Sequence, residues 1–423
     1  MATIIKNAKV YIDGKFKQLN FAFEGGVFSK IAPTIDICSG DFVFDFSNHY
    51  IFPGFIDVHS HLREPGFFYK ETILTGTKSA ARGGFTTVFS MPNLNPVPDC
   101  LENLKPQLDL IKKDAVINVY PYASITKGQK GKELANFEEL SDYVIAFTDD
   151  GKGVQANNVM LEAMQKAKAL NKIIVAHCED ESLLFGGVIH DGKFAKEHNV
   201  KGISSKSEWA QVERDIELVR KTNANYHICH VSTKESVELI RKAKKEGLPI
   251  TAETAPHYLT LTENDLIDDG RFKMNPPIRE ELDRLALING IIDGTIDMIA
   301  TDHAPHSKEE KSKGLVGSLM GIVGFETAFP ILYTNLVKKG IITLEHLIKV
   351  MHDNPLKRFN KGSNIKVGEA ADFTVFNLDT KYSINKETFL TKGRATPYEN
   401  VEVYGDCVLT VAGGNIAWQK QHL

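Results

Sequence analysis

The hydrophobic pattern changes character twice along the chain. From residue 1 to 52 it alternates over short runs, "IIKNAKVYIDGK", "NFAFEGGVFSKIAP" and "DFVFDFSNHYIF", broken by glycine, aspartate and asparagine. Such alternation predicts strands, and Asp13-Gly14 predicts a turn between two of them. Residues 365–423 have the same character, as in "ADFTVFNLD" and "VEVYGDCVLTVAGGNIAW". The two ends, residues 1–52 and 365–423, are therefore expected to form one small β-rich domain.

Residues 53–364 read differently. Apolar runs predict strands ending near His61, Asn93, Ser124, Asp150, Glu179, His230, His257 and Asp302. Between most of them lies helical periodicity, as in "ETILTGTKSAARG", "ANNVMLEAMQKAKAL", "SEWAQVERDIELVRKT" and "TKESVELIRKAKKEG". Eight strand–helix units predict an α/β fold, a (β/α)8 TIM-like barrel, with loop insertions accounting for its length.

Composition narrows the class. A chain of 423 residues can bury a sizeable core, and a net charge of −4 provides no global field for nucleic acid or an acidic membrane. No apolar run approaches the roughly 18 residues of a membrane span. The five cysteines are scattered and form no CxxC pair, which predicts reduced thiols. With no signal-peptide pattern at the start, a cytoplasmic protein is expected.

Barrel strands carry their chemistry at their C-terminal ends. Here those ends hold His59, His61 and Arg63, then Asn93, Asp149 and Asp150, His177, His230, His257, and finally Asp302, His303 and His306. Strand residues i and i+2 point the same way, so His59 and His61 can grip one ion. Asp57, one layer deeper on that face, is expected to order a ligand histidine. His227, three residues before His230, is expected to be structural. Taken singly, each feature has a plain explanation: a half-buried histidine, a turn at Asp149-Asp150, a helix cap at Asp302. Recurring at the ends of different strands, they predict a bimetal site drawn from His59, His61, His177, His230, Asp150 and Asp302. Two ions about 3.5–4 Å apart can share a hydroxide and polarise a carbonyl, the chemistry of amide hydrolysis or its reverse.

In "PGFIDVHSHLREPG", "ARGGFTTVFSMPN", "PYASIT", "AFTDDGKGVQ", "VAHCED", "CHVSTKES", "KMNPPIR", "IATDHAPH" and "GIVGFETAFP" the chain resembles the amidohydrolase superfamily, and within it the bacterial class I dihydroorotases. The resemblance covers nearly the whole chain. It implies a metal-dependent cyclic amide hydrolase of pyrimidine biosynthesis, closing N-carbamoyl-L-aspartate reversibly to L-dihydroorotate and water. It further implies zinc, two ions per subunit. His59, His61 and Asp302 would bind one ion, His177 and His230 the other, and Asp150 would bridge them. A bridging hydroxide would attack, with Asp302 as general acid and base. Arg63 and Asn93 would clamp the substrate carboxylate, with His61, Asn275, His306, Met320 and Gly321 completing the pocket. Met320 stands where the family usually has phenylalanine, so a backbone contact would persist with softer ring packing. A homodimer, and assembly with an aspartate carbamoyltransferase, are partners that the family allows.

Two alternatives follow from the same residues. Hydantoinase-type relatives bridge their ions with a carboxylated lysine near the fourth strand, where the nearest lysine here is Lys152 of "DDGKG". A non-catalytic assembly homologue would be expected to have lost ligands, and none is missing. The charged run 308–313, "KEEKSK", is expected to be a solvated loop, with a lid as the lesser possibility.

Overall fold

The computed structural model describes residues 1–421. Its centre is a ring of parallel strands. Phe55–Ser60 pairs with Phe85–Ser90, and that strand with Asn118–Pro121. Ile174–Ala176, Tyr226–Ile228, Ile250–Thr254 and Met298–Ile299 follow in order on the other side. The ring closes through a bridge from Ser60 to His303, reinforced by the His61 amide donating to the His303 carbonyl at 2.8 Å.

The fourth predicted strand, "YVIAFTDD", is much shorter than expected. Only Phe147 bridges its neighbours, Ala123 on one side and Ile174 on the other. A few hydrogen bonds carry the contact: on one side the Ile145, Ala123 and Thr148 amides donate to the Pro121, Ala146 and Ala123 carbonyls, and on the other the Phe147 and Val175 amides donate to the Ile173 and Phe147 carbonyls. The chain then leaves the ladder because Asp149 turns back. Its carboxylate accepts from the Ile125 and Thr126 amides at 2.8 and 3.0 Å.

The helices form where periodicity predicts them: Ile73–Arg82, Asn157–Ala169, Lys206–Thr222 and Lys234–Lys245. Thr72 and Thr75 form a reciprocal cap on the first, and Thr233 caps the last. None of the described helices is long and apolar enough to cross a membrane.

The two chain ends meet in one eight-stranded sheet. Tyr50–Pro53, from the N-terminal part, pairs antiparallel with Phe373–Ser383. Thr3–Ile12 and Lys15–Glu24 form the expected hairpin at Asp13-Gly14, both residues at positive φ. Sheet and barrel share an aromatic cluster of Phe52, Phe55, Phe329 and Phe376, with ring centroids 4.3–5.8 Å apart. Gly84 abuts it at φ +90°, and a Cβ there would meet the Phe376 ring at 2.8 Å. Beyond the sheet strand, residues 384–399 run back to the barrel's catalytic end, where the Val323 amide donates to the Ala395 carbonyl.

Because Phe55 is fully buried in this cluster, Phe55→Ala should cost about 3–5 kcal/mol of stability. Urea unfolding of the purified protein measures it.

Candidate active site

The strand ends bring His59, His61, His177, His230, Asp150 and Asp302 to one buried cluster. Asp150 lies at its middle. Its Oδ1 is 3.3 Å from His59 Nε2, 3.7 Å from His177 Nδ1 and 3.5 Å from His230 Nε2, while Oδ2 is 3.4 Å from His61 Nε2. Asp302 Oδ1 lies 3.1 Å from His61 Nε2 and 3.4 Å from His59 Nε2. Two overlapping sets are spaced for metal ligation: His59, His61 and Asp302; and His59, Asp150 and His230. His177 Nδ1 and His230 Nε2 face each other at 2.9 Å beside the second set.

Whether these residues suit divalent cations can be judged from the atoms themselves. His59 Nε2 and Asp150 Oδ1 are buried without a hydrogen-bond partner, which is costly unless something else satisfies them. Around them lie the buried carboxylates of Asp57, Asp150, Glu253 and Asp302, with Arg63 the neighbouring buried cation. Burial alone would lower the pKa of His59, yet Asp150, Glu253 and Asp302 together raise it well above imidazole's ordinary range. Burial likewise opposes ionisation of Asp150 and Asp302, but the adjoining imidazoles hold both carboxyls below their usual range. The cluster demands positive charge, and imidazole nitrogens with carboxylate oxygens fit that demand to divalent metal.

Other residues fix the ligand histidines. His59 Nδ1 donates to Glu253 Oε1 at 2.6 Å, leaving Nε2 for a metal. His61 Nδ1 donates to Asn93 Oδ1 at 2.9 Å, again leaving Nε2. His177 Nε2 lies 3.3 Å from Glu179 Oε2, leaving Nδ1. The expected partner of a ligand histidine was Asp57, and the geometry differs. Asp57 accepts from the Thr301 amide and hydroxyl at 2.9 and 2.5 Å, bracing the segment before Asp302, while Glu253 holds His59. Glu253 and Glu179 are the residues that sequence reasoning missed. A charged residue inside the apolar strand "ITAET" was the available signal for Glu253; Glu179, just past a strand end, carried none.

Several neighbours are structural. His227 contacts Thr251 Oγ1 and Glu253 Oε2 at 2.8 and 3.1 Å, as expected of a supporting residue. Asp149 is occupied with backbone amides, so Asp150 alone of that pair enters the cluster. His303 turns away to stack on Phe325 with centroids 4.0 Å apart. His257 sits in a short helix, Pro256–Thr260, rather than ending a strand, because Pro256 opens a turn there. Lys152 is exposed, its amide bonded to the Asp149 carbonyl.

Beside the cluster is a cavity of about 200 Å³ lined by Arg63, Asn93, Asn275, His306, Met320 and Gly321, with His61 and Asp302 in its wall. Both amides in it have a fixed sense. Asn93 Oδ1 is committed to His61, so its NH2 faces the cavity. Asn275 Nδ2 donates to Glu179 Oε1 at 2.9 Å, and a carboxylate can only accept. Asn275 Oδ1 is therefore buried, unpartnered and available as an acceptor. His306 Nε2 donates to the Met320 carbonyl at 2.7 Å, a contact indifferent to the side chain at 320. Arg63, His230 and Asp302 all adopt positive φ, at 63°, 30° and 48°. Such strained backbone at three adjoining residues is characteristic of functional sites.

The charged run 308–313 is more ordered than a solvated loop. Residues Lys308–Lys311 form a helical turn, Glu310 pairs with Lys70 at 3.0 Å, and Lys311 is buried, its ammonium donating to the carbonyls of Lys273 and Leu319.

The chain matches the family model described as "Dihydro-orotase-like" over residues 48–236. It is 49% identical over 417 residues to "Dihydroorotase" of Fusobacterium nucleatum subsp. nucleatum, covering 98% of both proteins. It is 48% identical over 424 residues to "Dihydroorotase" of Anoxybacillus flavithermus, covering 99% of each. Among solved structures, an L-hydantoinase (dihydropyrimidinase) from Arthrobacter aurescens aligns with a TM-score of 0.89 at 23% identity, covering 100% of this chain and 97% of that one. A dihydropyrimidinase from Brevibacillus agri aligns with a TM-score of 0.85 at 22% identity, covering 99% and 95%. These structures share the fold.

Chelation of the purified protein should remove stoichiometric divalent metal and abolish activity, and zinc should restore it. His59→Ala should lose metal, whereas His227→Ala should retain it. Glu253→Gln should weaken metal affinity about 10–100-fold, measured by competition with a chromophoric chelator.

Proposed function

The chain belongs to the dihydroorotase family, and from that premise we propose how its site works. The reaction is the reversible closure of N-carbamoyl-L-aspartate to L-dihydroorotate and water, carried by residues 53–364, with the sheet from residues 1–52 and 365–423 in support. The observation that carries the reading is a carboxylate clamp, Arg63 with Asn93, opening onto the same cavity as the imidazole–carboxylate cluster.

Arg63 presents a guanidinium fork to the substrate carboxylate, backed by its own Nε bond to the Pro305 carbonyl at 3.2 Å. Asn93 adds an N–H donor. Asn275 Oδ1 accepts from a ring N–H, so the substrate is held at both its acidic and its amide edges. Divalent ions held by the cluster would polarise the ring amide carbonyl and make a water nucleophilic near neutral pH. Zinc, two ions per subunit, suits the imidazole-rich ligand set. In hydrolysis, Asp302 takes the proton of the attacking water. It returns that proton to the leaving ring nitrogen as the C–N bond breaks, and that nitrogen becomes the carbamoyl NH2. Ring closure runs the same transfers in reverse.

Asp150, rather than a carboxylated Lys152, would be the anionic ligand that offsets the charge of the ions. The buried position of Asp150 among four imidazoles and the exposure of Lys152 support this assignment.

With dihydroorotate, dihydrouracil, hydantoin and allantoin offered in parallel, only dihydroorotate should turn over well. The substrates lacking its carboxylate should fall about a hundredfold or more in kcat/KM. Comparable turnover of hydantoin would refute the clamp.

Asp302→Asn should keep the fold and lose turnover by orders of magnitude, since its amide cannot accept the proton. Carbamoyl-aspartate carries two carboxylates and dihydroorotate one, so ring closure consumes a proton. The equilibrium ratio should therefore favour closure about tenfold more for each pH unit of acidification, followed by absorbance of the ring product.

The bridge is tested by two variants. Lys152→Ala should keep both metals and most activity, with no dependence on bicarbonate. Asp150→Ala should lose at least one metal and nearly all turnover. A dead Lys152→Ala rescued by short-chain acids would assign the bridge to the lysine instead.

A further inference from the structure

A second cavity, of about 320 Å³, lies behind His306, which lines both it and the substrate pocket. Its walls come from three segments far apart in sequence: residues 269–271, 306–312 and 386–399. Six basic side chains converge there, Arg271, Lys308, Lys311, Lys386, Lys392 and Arg394, against three acids, Asp269, Glu387 and Glu399, with burial pulling the Lys311 ammonium down to about 7. The acids do not neutralise the set. Glu399 is shared between Lys386 at 2.7 Å and Arg271 at 3.5 Å, and Asp269 lies 3.6 Å from Arg271. Lys308, Lys311, Lys392 and Arg394 have no ion-pair partner among the described residues. Arg271 Nε is also buried without a hydrogen-bond partner. Like charges gathered in one cavity repel one another unless an anion joins them.

We propose that this cavity is a second anion site, taking a multivalent phosphate-type ligand and tuning the substrate pocket beside it. The guanidinium groups of Arg271 and Arg394 and the exposed side chains of Lys308 and Lys392 match phosphate oxygens, and the excess of basic groups favours a ligand carrying more than one negative charge. The link to the catalytic side is short. Lys311, in the wall of this cavity, donates to the Lys273 carbonyl at 2.9 Å, which also accepts from the Gly321 amide at 3.0 Å, and to the Leu319 carbonyl at 2.7 Å. Lys311 thus ties together the segments that carry Asn275 and Met320-Gly321. An anion bound there lowers the positive potential that Arg63 offers to an anionic substrate. By linkage, substrate must weaken anion binding to the same degree.

The test uses the metal-loaded full chain. Pyrophosphate and ADP are titrated calorimetrically, with metal content measured before and after to exclude chelation. One site per chain is expected, weakening steeply as salt is raised. The double variant Lys392→Ala/Arg394→Ala should bind about tenfold or more weakly, while its kcat and KM without anion match the unsubstituted enzyme. Tighter binding of ADP would assign the ligand to the nucleotides, and tighter binding of pyrophosphate to free polyphosphate; either upholds the site. The kinetic arm rests on the proposed dihydroorotate reaction, whereas the calorimetric arm does not. In it, KM should rise a few-fold to a plateau at unchanged kcat, and the double variant should abolish the rise. Absence of binding, or binding indifferent to the double variant, would overturn the proposal. So would a KM that climbs without limit, which is competition in the catalytic pocket. A double variant with raised KM in the absence of anion would instead make the cavity an antechamber for substrate.

Discussion

The catalytic end of the barrel depends on one electrostatic constraint: carboxylates buried together without enough cations of their own. Asp150 reaches ring nitrogens of four histidines at 3.3–3.7 Å, and Asp302 shares two of those rings. In a low-dielectric interior such charges cannot remain unmatched. The surrounding architecture meets this constraint in two ways. His59, His61 and His177 each commit one ring nitrogen to a partner outside the cluster, so the other faces inward. Each carboxylate outside the cluster, Asp57, Glu179 or Glu253, is spent on orienting a neighbour. The same hydrogen bonds thus set which ring nitrogens of His59, His61 and His177 face the cluster.

The substrate pocket inherits this order. Asn93 is fixed by His61, and Asn275 by Glu179, which also contacts His177. Amides that would otherwise be free to rotate by half a turn are locked into one donor and one acceptor. Recognition of an acidic cyclic amide is therefore an extension of the metal site's own bonding and needs no separate scaffold.

Much of this was legible in the sequence, for a physical reason. A barrel needs apolar strands, so polar residues that recur just past them stand out, and His59, His61, Asp150, His177, His230 and Asp302 were found in that way. The pairing of the chain ends followed from alternation alone. What could not be read depends on three-dimensional direction. Spacing placed Asp57 on the ligand face, but only the position of Thr301 decides what it binds. Glu253 lies in the seventh strand of the ring and acts on a histidine of the first, 194 residues away. The brevity of the fourth strand was hidden because "YVIAFTDD" is apolar enough to extend, and Asp149 ends it through contacts with residues 125 and 126. The charged run at 308–313 looked solvated because nothing local reveals that Lys311 turns inward.

The seam of the ring has a consequence for how the molecule comes into being. The His61 amide bonds to the His303 carbonyl, joining the first strand to the last. His59 and His61 emerge early during synthesis, yet Asp302 follows some 240 residues later and the sheet that braces the barrel needs residues beyond 402. At ~5–20 residues per second, the nascent chain spends on the order of ten seconds or more with His59 and His61 made and Asp302 still missing. The full cluster is thus complete only late in synthesis, and a chain cut short before the eighth strand would leave the ribosome without Asp302 and without the seam that closes the ring.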